Sequence, residues 1–348
     1  MSWPPLLRAL CVLAGVAVGA FESTTPAVAA DDVVYVARGK NLQLTTKLTG
    51  QIVDYTGREL TLLVGGTPTS HKAEHVIRVE TEFSAAQQAA DRLFKEEKYR
   101  EALAEYTAAG RDEQRRWVRR QIMAQMVWCH RHLDDIPAAG DTFLSLLASD
   151  PQTIHFDCIP LAWSPGEPHR RLADKCRHWL SDENSSPGGL IGASHLLSTA
   201  DSPAATRRLE RLAFDPNAHI ALLAQAQLWR IQMVTNGEEQ FAQWSQTVER
   251  MPQTLGGGPH FVLGLAWSRV GNHQQAALDF LRVPILHAND AALSARALLE
   301  AGRALQRAGQ DRQSARLWAE VASQYPQSQV AGEARRLLQE SATQANSQ

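Results

Sequence analysis

Cysteine is scarce, long apolar runs are missing and neither sign of charge prevails, and each shortage removes a class of protein. Four cysteines in 348 residues are too few for a disulfide framework. None stands in a Cys-x-x-Cys pair, so a zinc ribbon or a thioredoxin-type redox centre is excluded. No uninterrupted apolar stretch reaches the roughly 18 residues that would span a bilayer. A net charge of −2, from 35 basic and 37 acidic residues, gives no bulk attraction to nucleic acid or to an acidic membrane. Gly256-Gly257-Gly258-Pro259 is not followed by Lys-Ser or Lys-Thr, so it cannot cradle a phosphate as a P-loop does. Gly192-Ala193-Ser194-His195 lacks the second glycine of a nucleophile elbow. Three stretches hold zinc-competent side chains: Cys129, His130 and His132; His155, Asp157 and Cys158; Cys176 and His178. None has a ligand spacing, and residues two apart, such as His130 and His132, point to different faces of a helix. No catalytic residue, cofactor or metal is therefore expected, and the chain reads as a non-enzyme.

What is present begins with a secretory pattern over residues 1–30. Arg8 precedes the apolar run Ala9–Phe21, and Thr25-Pro-Ala-Val-Ala-Ala30 offers small residues for cleavage. This predicts a periplasmic or secreted protein with no further transmembrane segment; the alternative is an uncleaved N-terminal membrane anchor. Beyond it stand Cys129, Cys158 and Cys176. An oxidising compartment could pair Cys158 with Cys176, and the alternative is three buried thiols.

Residues 31–82 alternate with a strand period. Val33-Val34-Tyr35-Val36, Gln51–Tyr55, Glu59–Val64 and His75–Glu80 are separated by Thr56-Gly57-Arg58 and by Gly65-Gly66-Thr67-Pro68, both read as turns. The order resembles a small SH3-like or Sm-like β-barrel, an architecture without a catalytic signature. Tyr35 and Tyr55 read as packing residues, with an aromatic recognition face as the alternative. So small a module is expected to dock on the first helices.

From Ser84, a candidate N-cap, the period becomes helical. Ala90, Ala102, Tyr106 and Ala109 stand at spacings of 12, 4 and 3. Gly264, Ala276 and Phe280 repeat the 12 and 4. Gly302 and Trp318 keep the small-to-aromatic spacing of 16, with Pro326 following. Ala139, Phe143 and Pro151 repeat the 4 and the 8. A small residue lets two helices approach, an aromatic fills the groove they leave, and a proline ends the second helix. The pattern resembles the tetratricopeptide repeat, a helix pair of about 34 residues. The expected fold is mainly α: a tetratricopeptide-like solenoid of antiparallel helix pairs behind the small barrel. Its parts are N-terminal repeats over 84–150, a Pro- and Gly-rich insertion or seam over 151–189, and C-terminal repeats with a capping helix over 190–340. Residues 341–348 read as a disordered tail. Tyr325-Pro-x-Ser-x-x-Ala331 resembles repeats in cell-envelope assembly and coordinator proteins.

In such arrays the first helix of each pair lines the groove. The resemblance puts Arg131, His132, Arg269, Arg303, Gln306 and Arg307 there. The carboxylate-clamp members of the family use asparagine and lysine at those places, so a clamp for a peptide C-terminus is not implied. Guanidinium forks instead suit an acidic protein or peptide partner. The favoured reading is an exported, non-catalytic interaction scaffold of the cell envelope. The alternative is a ligand-binding or enzymatic protein with its site in the 151–189 insertion or the β module, lined by Trp163, Trp179, His155, His169 and His178.

Overall fold

The computed structural model describes residues 31–38 and 44–345; the expected signal stretch 1–30 and residues 346–348 lie outside it. Five antiparallel strands come first: β1 (Asp32–Arg38), β2 (Leu44–Tyr55), β3 (Glu59–Val64), β4 (Thr67–Lys72) and β5 (Val76–Glu80), in the order β4-β3-β2-β1-β5. Gly65 and Gly66 both hold positive φ, 55° and 85°, which a two-residue hairpin needs and glycine supplies without strain. The turn is therefore those two residues alone. Thr67 and Pro68, read from the sequence as turn residues, open β4, an edge strand where a missing N–H is tolerated.

The sheet is open. β4 and β5 are its two edges and do not pair, which corrects the expectation of a closed barrel. Helices, rather than further strands, cover its apolar face. Val34, Val36, Ile52, Leu60 and Leu62 share one core with Ala90, Ala102, Tyr106, Val118 and Ile122.

Those helical residues belong to α1 (Ala85–Lys95), α2 (Tyr99–Asp112) and α3 (Arg116–His132); α4 (Ile136–Ser149) follows. Ser84 caps α1, its hydroxyl accepting from the Gln87 N–H. Buried Arg120 of α3 pairs with the Asp54 carboxylate and donates to the Tyr55 carbonyl at 2.9 Å. The Gly57 N–H of the β2–β3 turn donates to Asp150 at 2.9 Å, so this end of the sheet is tied to both α3 and the end of α4.

Nine of the remaining helices pack mostly on their sequence neighbours: α5 (Arg170–Ser181), α6 (Ser186–Leu196), α7 (Ser202–Leu212), α8 (Ala218–Gln232), α9 (Glu238–Arg250), α10 (Gly257–Arg269), α11 (His273–Leu286), α12 (Ala291–Arg307) and α13 (Asp311–Gln324). α14 (Ala331–Ala345) closes the order. It continues past residue 340 into the stretch read as a tail. In the 151–189 region the amphipathic period of residues 170–180 implies a helix, and one forms there. That helix is α5, and Pro187, Gly188 and Gly189 sit in the first turn of α6, where a proline is tolerated.

Two helix pairs show the small-to-aromatic contact at atomic scale. A Cβ on Gly264 would lie 2.6 Å from the Phe280 ring, and one on Gly302 would lie 2.3 Å from Trp318 Nε1. A second regularity joins four pairs. Glu97, Asp134, Gly271 and Gly309 all take positive φ, at 60°, 59°, 83° and 75°. Each ends the first helix of its pair, and each stands five residues before a buried small residue: Ala102, Ala139, Ala276 and Ser314.

Candidate functional site

The chain between α4 and α5 cannot be helical throughout. Pro151, Pro160, Pro165 and Pro168 each lack an N–H, and each biases the preceding residue to extended backbone. After a single 3-10 turn, Phe156–Cys158, residues 159–169 run as a strap across α6, α8 and α10. Side chains of the helices bind its main chain at every second residue. The Pro160 carbonyl meets His195 Nε2 at 3.0 Å. The Ala162 N–H donates to Ser194 Oγ at 3.1 Å, and its carbonyl accepts from Gln227 at 3.0 Å and Arg230 at 2.9 Å. Arg230 also donates to the Ser164 carbonyl at 3.2 Å and to the Ser194 carbonyl at 2.8 Å. Trp163 then locks the strap to α10, where a Cβ on Gly258 would come within 1.8 Å of the indole.

Burial sets the charge state of this seat. Desolvation pulls His195 down to about 4 and Arg230 to about 10. His195 is therefore neutral at pH 7, and its carbonyl partner fixes the proton on Nε2.

A second tie closes the molecule. Arg131 at the end of α3 pairs with Asp290, the N-cap of α12, and both side chains are largely buried, at 12% and 15% exposure. Its guanidinium also stacks over the Trp128 ring at 4.3 Å and reaches the Cys158 carbonyl at 3.4 Å. Beside it His132 lies flat on Tyr99, with centroids 4.0 Å apart and planes 5° apart, while Phe94 meets it edge-on. Desolvation, and then the Arg131 charge, hold His132 down to about 4.

Strap, α3 end and α12 start enclose a cleft of about 580 Å³. Its floor is strap residues 160–169. Its walls are the α1–α2 turn with Glu97 and Tyr99, the α3–α4 turn with Asp134, the start of α12, and the α13–α14 loop from Gln324 to Val330. Four carboxylates line it, Glu97, Asp134, Glu167 and Asp290, against two guanidiniums, Arg131 and Arg296. Because Arg131 and Asp290 satisfy one another, the remaining charge is negative.

Of the residues assigned to a partner groove by sequence, only Arg131 and His132 line this cleft. The others tie helices together. Arg269 donates to the Met233 carbonyl past the end of α8 at 2.8 Å, and Arg307 reaches Ser268 of α10 at 3.4 Å. Arg303 lies between Glu300 at 2.6 Å and Glu333 of α14. The Gln306 side chain is half-buried and makes no hydrogen bond among the described residues. The residues of the alternative reading also separate. Trp163 and His169 line the cleft, whereas Trp179 packs against Gly140 and His178 is exposed. His155 lines a smaller cavity of about 290 Å³ between β5 and α3, together with Tyr55 and Trp117. Tyr35 carries Arg78 over its ring at 4.4 Å.

Cys158 and Cys176 are not joined; with Cys129 they are buried free thiols, and burial raises all three. Among the described residues no group of three or more His, Cys, Asp or Glu side chains is arranged to hold a metal, and no helix is long and apolar enough to cross a membrane. No protein-family model matches the chain, and no curated protein matches it.

The cleft was partly legible, since Arg131, His132, Trp163 and His169 are all readable as site residues, but they fall into two separate expected sites, and the seat of the strap was not legible. The prolines marked non-helical chain but not where it would lie. The useful signal was a polar pair one helical turn apart, Gln227 and Arg230 on α8, since buried polar side chains need partners.

Proposed function

We propose that this is an exported, non-catalytic interaction protein of tetratricopeptide type, and that it takes a protein or peptide partner in the cleft between the strap and the α1–α2, α3–α4 and α13–α14 turns. The observation that carries the reading is the cleft itself: about 580 Å³, bordered by turns from both ends of the chain. The recurring left-handed turn residue in four helix pairs, and the Gly264–Phe280 and Gly302–Trp318 contacts, support the repeat type. Export rests on the pattern in residues 1–30. The SH3-like resemblance of the β module serves as a docking plate for α1–α3 in this reading, since its apolar face is spent on them.

The test blocks the cleft without touching the core. Ala292 is an exposed cleft-wall residue near the start of α12, so Ala292→Trp adds bulk to the cavity alone. A random peptide library panned on the full chain should yield binders that the Ala292→Trp variant does not retain. Recovery of none, or of peptides indifferent to the substitution, sinks the reading.

A further inference from the structure

The strap has two main-chain edges, and only one is used. Even-numbered residues 160, 162 and 164 direct their polar groups at α6 and α8. In extended chain the groups of odd-numbered residues point the opposite way. Leu161 N–H folds back to the Ile159 carbonyl at 3.0 Å. The Leu161 carbonyl and both the N–H and the carbonyl of Trp163 have no hydrogen-bond partner among the described residues. Both residues line the cleft. Between the tight turn at residues 159–161 and the bend at Ser164, a backbone with one edge held by side chains and the other unpaired is the local equivalent of a short sheet edge, which accepts another strand. Charge adds a second condition on that strand. Glu97, Asp134 and Glu167 are exposed at the rim and form no ion pair among the described residues.

Resting on the cleft being the binding site, we propose that its occupant is an extended, basic polypeptide segment. It pairs main chain to main chain with residues 161–163 of the strap and sets lysine or arginine side chains against Glu97, Asp134 and Glu167. This reverses the partner charge expected from sequence, because the arginines behind that expectation are engaged within the chain.

Three labelled heptapeptides test it by fluorescence anisotropy on the full chain: Lys-Val-Lys-Val-Lys-Val-Lys, its Glu-for-Lys counterpart, and the lysine peptide N-methylated at adjacent central residues so that both edges are blocked. The lysine peptide should bind at least about tenfold more tightly than the glutamate one. The exposed double substitution Glu97→Gln with Asp134→Asn should remove most of that difference, and N-methylation should abolish binding. No binding of the lysine peptide, equal binding of the glutamate peptide, or indifference to N-methylation overturns the proposal. Failure of the proposal alone is recognisable: library peptides would still be lost on Ala292→Trp while being acidic or insensitive to N-methylation. If no library peptide depends on Ala292, the cleft reading itself has failed.

Discussion

At the scale of single residues, close contact between helices is decided by two glycines whose side-chain position is already filled. Alanine normally stabilises a helix interior by about 1 kcal/mol relative to glycine. At Gly264 the added methyl would meet the Phe280 ring at 2.6 Å, and that ring is fully buried with nowhere to retreat. Overpacking of this kind costs about 1–3 kcal/mol. Gly264→Ala is therefore expected to lower the urea midpoint, while Gly332→Ala in α14, where nothing lies nearby, should not lower it. An unchanged or raised midpoint for Gly264→Ala would remove the close-packing argument. These pairs were legible in the sequence because a small residue and an aromatic at fixed spacing record a local fit. The matching turn register was only half legible. Gly271 and Gly309 announce a left-handed residue, but Glu97 and Asp134 hide the same conformation under side chains that rarely adopt it. Both acidic exceptions border the cleft, and the two glycines do not.

At the scale of the element, the strap is held through its backbone, and this explains why its sequence says so little about its seat. Ala162 and Ser164 carry no charge or period that names a partner, and theirs are chosen by α6 and α8, 32 to 68 residues later in the chain. Periodicity reports which face of a helix is apolar; it does not report that Arg230 will bind the carbonyls of Ala162, Ser164 and Ser194 at once. Lysine carries a point charge and three donors on a tetrahedral nitrogen, so it cannot reproduce the planar fork. Arg230→Lys should cost about 1–3 kcal/mol by leaving buried carbonyls under-bonded. Hydrogen exchange should then quicken in residues 159–164 before it quickens in α1 or α2. Uniform protection across the chain would show that the guanidinium is dispensable to the strap. The groove arginines invert the same lesson. Arg303 and Arg307 looked like ligands for a partner because sequence shows exposed charge and conceals Glu333 and Ser268 across the helix gap.

At the scale of the whole molecule, buried imidazoles couple stability to pH. Desolvation pulls His132, His155, His195 and His287 each down to about 4. An unfolded chain takes up protons on these groups as pH falls through about 6.5, and the folded chain does not, so stability is lost on acidification. Asp157 acts in the opposite sense. Burial raises it to about 6, so the folded state holds its proton where the unfolded state has released it, and acidification favours folding through that group alone. Four groups against one give a net loss. Thermal midpoints should fall between pH 7 and pH 5; a level or rising profile would mean that the histidines are hydrated in solution. The clasp of Arg131 on Asp290 has a consequence of another kind. It joins positions 159 residues apart, one at the end of α3 and one at the start of α12. A helix pair added or deleted between α5 and α11 would carry Asp290 away from Arg131 and leave both charges largely buried and unpaired. The clasp thus counts the helices: a lineage could vary the turns freely while holding the number of pairs between them constant.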